Sequence, residues 1–459
     1  MKFFSTFFIA CSLMFVVACS SDDDNGTIND GDQTIVTYLR SDTDYSLLVE
    51  ALERAGLTAA LNASGSTTVF APNNEAFTTF LEANGFASLD EVPEALLSNV
   101  LLNHVVNGTT SSTEFTTGYI RTNATGSSDL NLSAFVDTSS GVTINGVATV
   151  VEADIEVSNG IVHGVDGVIL LPNVATLANV NPNFSNLITA LDAASLTVAI
   201  SDPSADLTVF APTNDAFATF LADNGFGSIA EIPTPLLQQT LLNHVLTTSN
   251  ASADFTTSYT TTLATFGDTD DNISLFINTE SGVVLNGIST VVAPDVVATN
   301  GIIHAVDTVI ALPTVVTFAT ADPSFSSLVA ALTRPDQPDF VGTLNTPFGT
   351  DPAPFTVFAP TDDAFTSLFA ELGVGGLADI DAATLTAALN LHVIAGANVR
   401  EEDLTSGPVT TLGGEVIIDA AAGTITDANG RTSTIIVTNV QASNGVVHAI
   451  DTVLLPELP

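Results

Sequence analysis

One nine-residue phrase occurs three times in this chain: VFAPNNEAF from Val69, VFAPTNDAF from Val209 and VFAPTDDAF from Val357. Two further phrases recur in step with it. LLNHVV at Leu101 returns as LLNHVL at Leu241 and LNLHVI at Leu389, and SNGIVHGVDGVILLP at Ser158 returns as TNGIIHAVDTVIALP at Thr299 and SNGVVHAIDTVLLP at Ser443. All six histidines lie inside these phrases, two per copy. A period of about 140 residues is too long for a solenoid unit and suits a self-contained domain. The repeat therefore predicts three tandem domains, spanning 34–172, 173–313 and 314–459, behind a leader of 1–18 and a tether of 19–33.

Within each copy the local signals are the same. A helical pattern such as YSLLVEALERAGL places Leu47, Leu48, Ala51, Leu52 and Ala55 on one side. A β-branched strand follows and ends at Pro72, Pro212 or Pro360. The next residue (Asn73, Thr213 or Thr361) is a good helix N-cap, with Glu75, Asp215 or Asp363 placed to favour the positive helix end. The last phrase reads as a hairpin, with Asn159-Gly160, Asn300-Gly301 and Asn444-Gly445 as turns that tolerate positive φ. Its second strand is apolar on both faces, which predicts a central, doubly covered strand. The fold class expected is α+β.

The chain carries 51 acidic against 7 basic residues, a formal charge of −44. So negative a surface repels phosphate backbones and excludes nucleic acid as a partner. With 46% hydrophobic and only 13% charged residues, the chain is nonetheless a folding sequence rather than a solvated acidic tail. Lys2 and the apolar run that follows it read as a signal peptide. The run ends in VVAC, which resembles the lipobox of bacterial lipoproteins, although Val16 stands where that box prefers leucine. The resemblance implies that Cys19 is acylated and becomes the mature N-terminus. Asp22, Asp23 and Asp24 then resemble the surface-export signal of Bacteroidota lipoproteins. The expected location is the bacterial outer membrane, lipid-anchored and exposed at the cell surface.

The recurring phrases from residue 34 onward resemble the hallmark boxes of the fasciclin domain, and the LLNHV segment falls where that family has its Tyr-His motif. The resemblance implies three fasciclin-type domains, each a β-sandwich or wedge flanked by helices. It also implies a non-enzymatic role in cell adhesion or matrix contact, through extracellular protein or polysaccharide partners. Asn103, Asn243 and Leu391 stand in place of the motif's tyrosine, and no Arg-Gly-Asp occurs, so integrin-type recognition is not carried over. The alternative, from another class, is a polysaccharide- or small-ligand-binding accessory lipoprotein of a nutrient-uptake system. No tryptophan and only four tyrosines leave few stacking platforms for sugars.

Ser158, His163 and Asp166 spell a triad, and the set recurs as Thr299, His304 and Asp307 and as Ser443, His448 and Asp451. Strand residues three apart face opposite ways, which argues against an oriented catalytic pair. No catalytic, cofactor or metal residue is assigned. His104, His163, His244, His304, His392 and His448 are read as structural. GDTDDN at Gly267 lacks the terminal glutamate of a calcium loop and is read as a solvated loop. The third copy alone inserts RPDQPDFVGTLNTPFGTDPAP, whose Phe340 and Phe348 read as exposed and make it the candidate partner-binding loop. The short joints at Pro172 and Pro313 predict a monomeric, elongated chain. Substitution Cys19→Ser is expected to leave the protein unprocessed or released from the membrane fraction, as read by cell fractionation; a processed, membrane-bound variant would refute the anchor.

Overall fold

The computed structural model describes residues 33–457; Cys19, the leader and the acidic triplet lie outside the described residues. All three domains share the architecture of the first. Helices α1 (Ile35–Ser41), α2 (Ser46–Arg54) and α3 (Thr58–Leu61) precede strand β1 (Thr67–Pro72). Helices α4 (Asn74–Ala83) and α5 (Glu94–Leu102) follow, then β2 (Val105–Asn107), β3 (Gly118–Thr125), β4 (Asn131–Asp137), β5 (Thr143–Ile144), β6 (Ala148–Val157) and β7 (Gly160–Val165). The sheet order is β2-β1-β7-β6-β5-β4-β3, and the other two sheets repeat it.

The corner between β1 and α4 follows from the recurring phrase. The Asn73 side chain accepts from the Ala76 amide at 2.9 Å, and Thr213 and Thr361 cap the equivalent helices through Ala216 and Ala364. Such a cap contributes about 1 kcal/mol. Behind the corner, Phe77 and Phe80 of α4 pack with Leu48 and Leu52 of α2 and Leu97 and Leu101 of α5 against Val69 and Val162. On the opposite face, Phe70 and Val165 meet Ala134, Val136 and Ile144 from the other half of the sheet. Strand β6 makes this possible. Its start pairs with β5, its remainder with β7, and a bulge between Glu152 and Ile155 bends the sheet back over itself into a wedge. Asp154 sits at the bulge with φ of 63°, and Asp295 and Asn439 do the same in the other copies, short polar side chains suited to that conformation.

β1 and β7 pair in parallel over their whole length, Thr67 with Gly160 through Pro72 with Val165. The Asn-Gly step before β7 has a different basis from the one its sequence predicts. Asn159 has no positive φ, and it is buried. Its Oδ1 accepts from the Ile35 amide at 2.9 Å, while its Nδ2 donates to the Leu61 and Ala63 carbonyls. Asn300 and Asn444 repeat these bonds with Val174, Ile200 and Asp202, and with Val315, Leu344 and Thr346. The glycine is required because a Cβ at Gly160 would collide with the Thr67 carbonyl oxygen. The dipeptide is thus a clamp, tying the start of α1 and the end of α3 to the hairpin and letting β1 approach.

Neighbouring domains dock in one repeated mode. The Ser133 hydroxyl accepts from the Val297 amide of domain two at 2.9 Å, and the Ser274 hydroxyl accepts from the Gln441 amide of domain three at the same distance. The Tyr119 hydroxyl donates to the Leu177 carbonyl, and Tyr259 donates to Asp322. Ala124 and Leu132 of domain one form a small dry cluster with Val297 and Ile302 of domain two, and Phe276 of domain two joins the core of domain three. Replacing Asn159, Asn300 or Asn444 by alanine leaves a buried amide and two carbonyls without partners. Each substitution is expected to destabilise its domain by about 2–3 kcal/mol in denaturant titrations; a loss of a few tenths would reduce the residue to an ordinary turn.

Candidate functional site

The histidines fall into two structural classes. His104 follows α5 and is buried; its Nδ1 donates to the Val100 carbonyl at 2.8 Å, and its Nε2 accepts from the Ile169 amide at 2.8 Å. His244 bridges Thr240 and Ile310, and His392 bridges Ala388 and Leu454, in the same way. Accepting an amide requires an unprotonated Nε2, so each ring is held neutral. Burial pushes all three imidazoles down to about 4, with the bond to the helix carbonyl acting the other way.

His163, on β7, is held by the bulge opposite. Its Nε2 donates to the Thr110 carbonyl at 2.9 Å, and its Nδ1 accepts from the Asp154 amide at 3.2 Å. His304 and His448 have matching partners in Asn250 and Asp295, and in Val399 and Asn439. Burial lowers the affinity of His304 and His448 for a proton. Each of the three rings lies 5.8 Å from the phenylalanine beside it on the parallel strand, Phe70, Phe210 or Phe358.

The triad spelled by the sequence is not assembled. Asp166 accepts from the Thr149 amide at 2.7 Å, and the Ser158 hydroxyl donates to the Gln33 carbonyl. Asp307 and Asp451 accept from Thr290 and Thr434. Among the described residues, no three His, Cys, Asp or Glu side chains converge as a metal would require. Asn103, in the position of the family's tyrosine, donates to the Ile169 and Leu170 carbonyls and accepts from Thr122. Asn243 repeats this with Ile310, Ala311 and Thr262. In domain three Leu391 fills the space as a core residue.

The inserted segment of domain three differs from the exposed loop that its sequence predicts. Phe340 opens a short helix, Phe340–Leu344, and is 8% exposed, packed into the domain core. Phe348 remains half exposed but leans on Phe266 of domain two, with ring centroids 4.7 Å apart. Asp271, from the acidic GDTDDN stretch, lies 3.3 Å from Arg400 of domain three. Both features bridge domains two and three.

What faces solvent repeatedly is one apolar register position per domain. Val151 on β6 is 62% exposed, Val292 is 55% and Ile436 is 51%. The residue before each one, Val150, Val291 or Ile435, packs inward and pairs with the end of the last strand, so the three occupy one register position. Val147 and Ile288 add a second exposed pair just before the strand in the first two domains. Sequence alternation alone did not single these residues out, because the residue before each one is β-branched as well. A cleft of about 630 Å³ lies between domains one and two, lined by Phe135, Asp137, Asn145, Asn173, Asn179 and Asp192 among others, with Val147 at its wall.

The fasciclin domain model matches residues 43–172, 182–313 and 323–456, and the chain belongs to the fasciclin-domain family. It is 34% identical over 145 residues to protein sll1483 of Synechocystis sp., covering 32% of this chain and 74% of that one. It is 27% identical over 454 residues to transforming growth factor-beta-induced protein ig-h3 of Oryctolagus cuniculus, covering 94% of this chain and 60% of the relative. Human periostin is 23% identical over 92% of this chain and 47% of its own length. Among solved structures, a FAS1 domain pair from the insect cell adhesion molecule fasciclin I aligns with 57% of this chain and 94% of its own, at 19% identity and a TM-score of 0.37.

The imidazoles of His104, His244 and His392 give a pH signature. Their folded affinity for protons lies below the unfolded value near 6.5, so the unfolded chain takes up protons first as pH falls. The stability they contribute is full above about pH 6.5 and is lost down to about pH 4, on the order of 3 kcal/mol per domain. Denaturant midpoints measured between pH 7 and pH 4.5 are expected to fall, and His104→Gln, His244→Gln and His392→Gln together should flatten that slope. An unchanged slope would contradict the burial assignment.

Proposed function

We propose that this protein is a non-enzymatic, lipid-anchored cell-surface adhesion or matrix-binding protein of the bacterial outer membrane. The repeated exposed position of Val151, Val292 and Ile436 is the observation that carries the reading. Single exposed aliphatic residues are ordinary, but one register position left open three times, on domains docked in one mode, presents a partner with three equivalent contacts. A polymeric or surface-bound partner engages such an array with avidity that no single contact supplies. The family's association with adhesion supports the same reading, and the histidine geometry offers no nucleophile–base pair. Working as a monomeric elongated chain, it would meet an extracellular protein or polysaccharide, with the membrane reached only through Cys19.

The cleft between domains one and two favours a second reading, a polysaccharide- or small-ligand-binding accessory lipoprotein of an uptake system. Amides, carboxylates, hydroxyls and one aromatic ring share its lining with Val147, Val180, Ile188 and Ile200, and the polar part is a donor and acceptor set suited to hydroxylated ligands. One experiment separates the two. The chain from Ser20 onward, fluorescently labelled, is applied to envelope and extracellular matrix from the producing cells. Val151→Glu, Val292→Glu and Ile436→Glu together are expected to cut retention by about 100-fold or more, against a few-fold for each alone. Retention equal to the unsubstituted chain would refute the repeated contact, and loss on adding soluble oligosaccharide instead would favour the cleft.

A further inference from the structure

The repeated docking mode joins two different surfaces: the β3–β4 face of one domain and the hairpin end of β6 and β7 in the next. Such a contact is heterologous and does not close on itself, so nothing in its symmetry stops it after three domains. Among the described residues, the hairpin end of β6 and β7 in domain one and the β3–β4 face of domain three meet no neighbouring domain, and they are complementary surfaces on every copy of the chain. The residues at those two ends depart from the interior pattern at the docking positions themselves.

Strand register fixes the correspondence. Ser133 pairs with Arg121 and Ser274 with Thr261; the matching pair in domain three is Glu415 with Thr410. Two residues along, Phe135 and Phe276 correspond to Ile417, and Tyr119 and Tyr259 to Pro408. On the other surface, Val297 pairs with Ile302 and Gln441 with Val446; the matching residue in domain one is Glu156, opposite Ile161. Inside the array these positions are dry: Ser133, Ser274, Val297 and Gln441 are all buried. At the ends, Glu156 and Glu415 are exposed.

We propose that Glu156 and Glu415 are end caps that prevent a second copy of this chain from docking head to tail and extending the array into a filament. Seating one copy on another would bring Glu415 to the place of the hydroxyl that receives an amide hydrogen, with Glu156 as the residue supplying that amide. Two carboxylates would be enclosed together in a site that excludes water, and each disfavours the other's charge. Loss of the tyrosine hydroxyl at Pro408 removes the second docking bond. Terminal repeats with altered outer faces are a general need of repeat arrays, and charge at an otherwise adhesive edge is an economical way to meet it.

The test rebuilds the interior residues at the ends. In the chain from Ser20 onward, which keeps every described residue, Glu156→Val, Pro408→Tyr, Glu415→Ser and Ile417→Phe are combined. Sedimentation velocity is expected to show the unsubstituted chain as a monomer and the rebuilt chain with a mass-average rising roughly twofold or more with concentration. Restoring Glu415 alone in that background should return it to a monomer. A folded rebuilt chain that stays monomeric overturns the proposal, as does end-to-end assembly of the unsubstituted chain. If the rebuilt chain does not fold, Ser274→Glu in the native chain decides. It is expected to undock domains two and three, seen as a larger radius of gyration and a new protease cut near Pro313; an unchanged radius and cleavage pattern overturns the proposal.

Discussion

Each domain depends on one long-range contact, the parallel pairing of β1 with β7. These strands are separated by most of the domain's sequence, so their meeting closes the chain on itself and fixes where every other element must pack. The clamp built on Asn159, Asn300 and Asn444 secures this closure, because its side chain also satisfies backbone groups at both ends of the leading helices. In a low-dielectric interior, such a fully paired amide adds specificity, whereas a half-paired one would destabilise. The buried histidines serve the same end: His104 ties the end of α5 to the strand exit at Ile169, and His163 ties β7 to the loop at Thr110.

From that closed unit the array follows. Domain ends lie directly against the next domain's opening helix, and Thr299 and Ser443 bond to the Pro172 and Pro313 carbonyls, holding the joints to the body of the following domain. The segment inserted in domain three, with Phe348 on Phe266, and the pair Asp271 with Arg400 make the second joint different in detail from the first. The surface proposed for binding is repeated on domains joined in this way and is held with little independent swing, which under that proposal favours simultaneous engagement of a partner that is itself extended or repetitive.

Much of this was legible in the sequence. The repeat gave the domain number, the strand-to-helix corner came from Pro72 and Asn73, and the histidines, two per copy, were read as structural. The Asn-Gly signal located the hairpin but for a different reason, since tertiary contacts use the asparagine's side chain rather than its backbone freedom. Phe340 and Phe348 read as exposed because prolines surround them; the structure buries the first and pairs the second with a residue about eighty positions earlier. Val151 was hidden by its neighbour Val150, because composition cannot say which of two adjacent valines faces out when the strand carries a bulge.

Taken alone, the sequence determined what is local or periodic: three copies, the helix caps, the central apolar strand and the acidic exterior. These depend on residues close together in the chain, whose preferences survive without knowing what they touch. The tertiary structure decided everything that requires two distant segments to meet. The parallel pair, the asparagine clamp, the neutral histidines, the exposed apolar position and the match of Ser133 to Val297 across a domain boundary all depend on burial and register, and a one-residue shift in register would put each side chain on the opposite face.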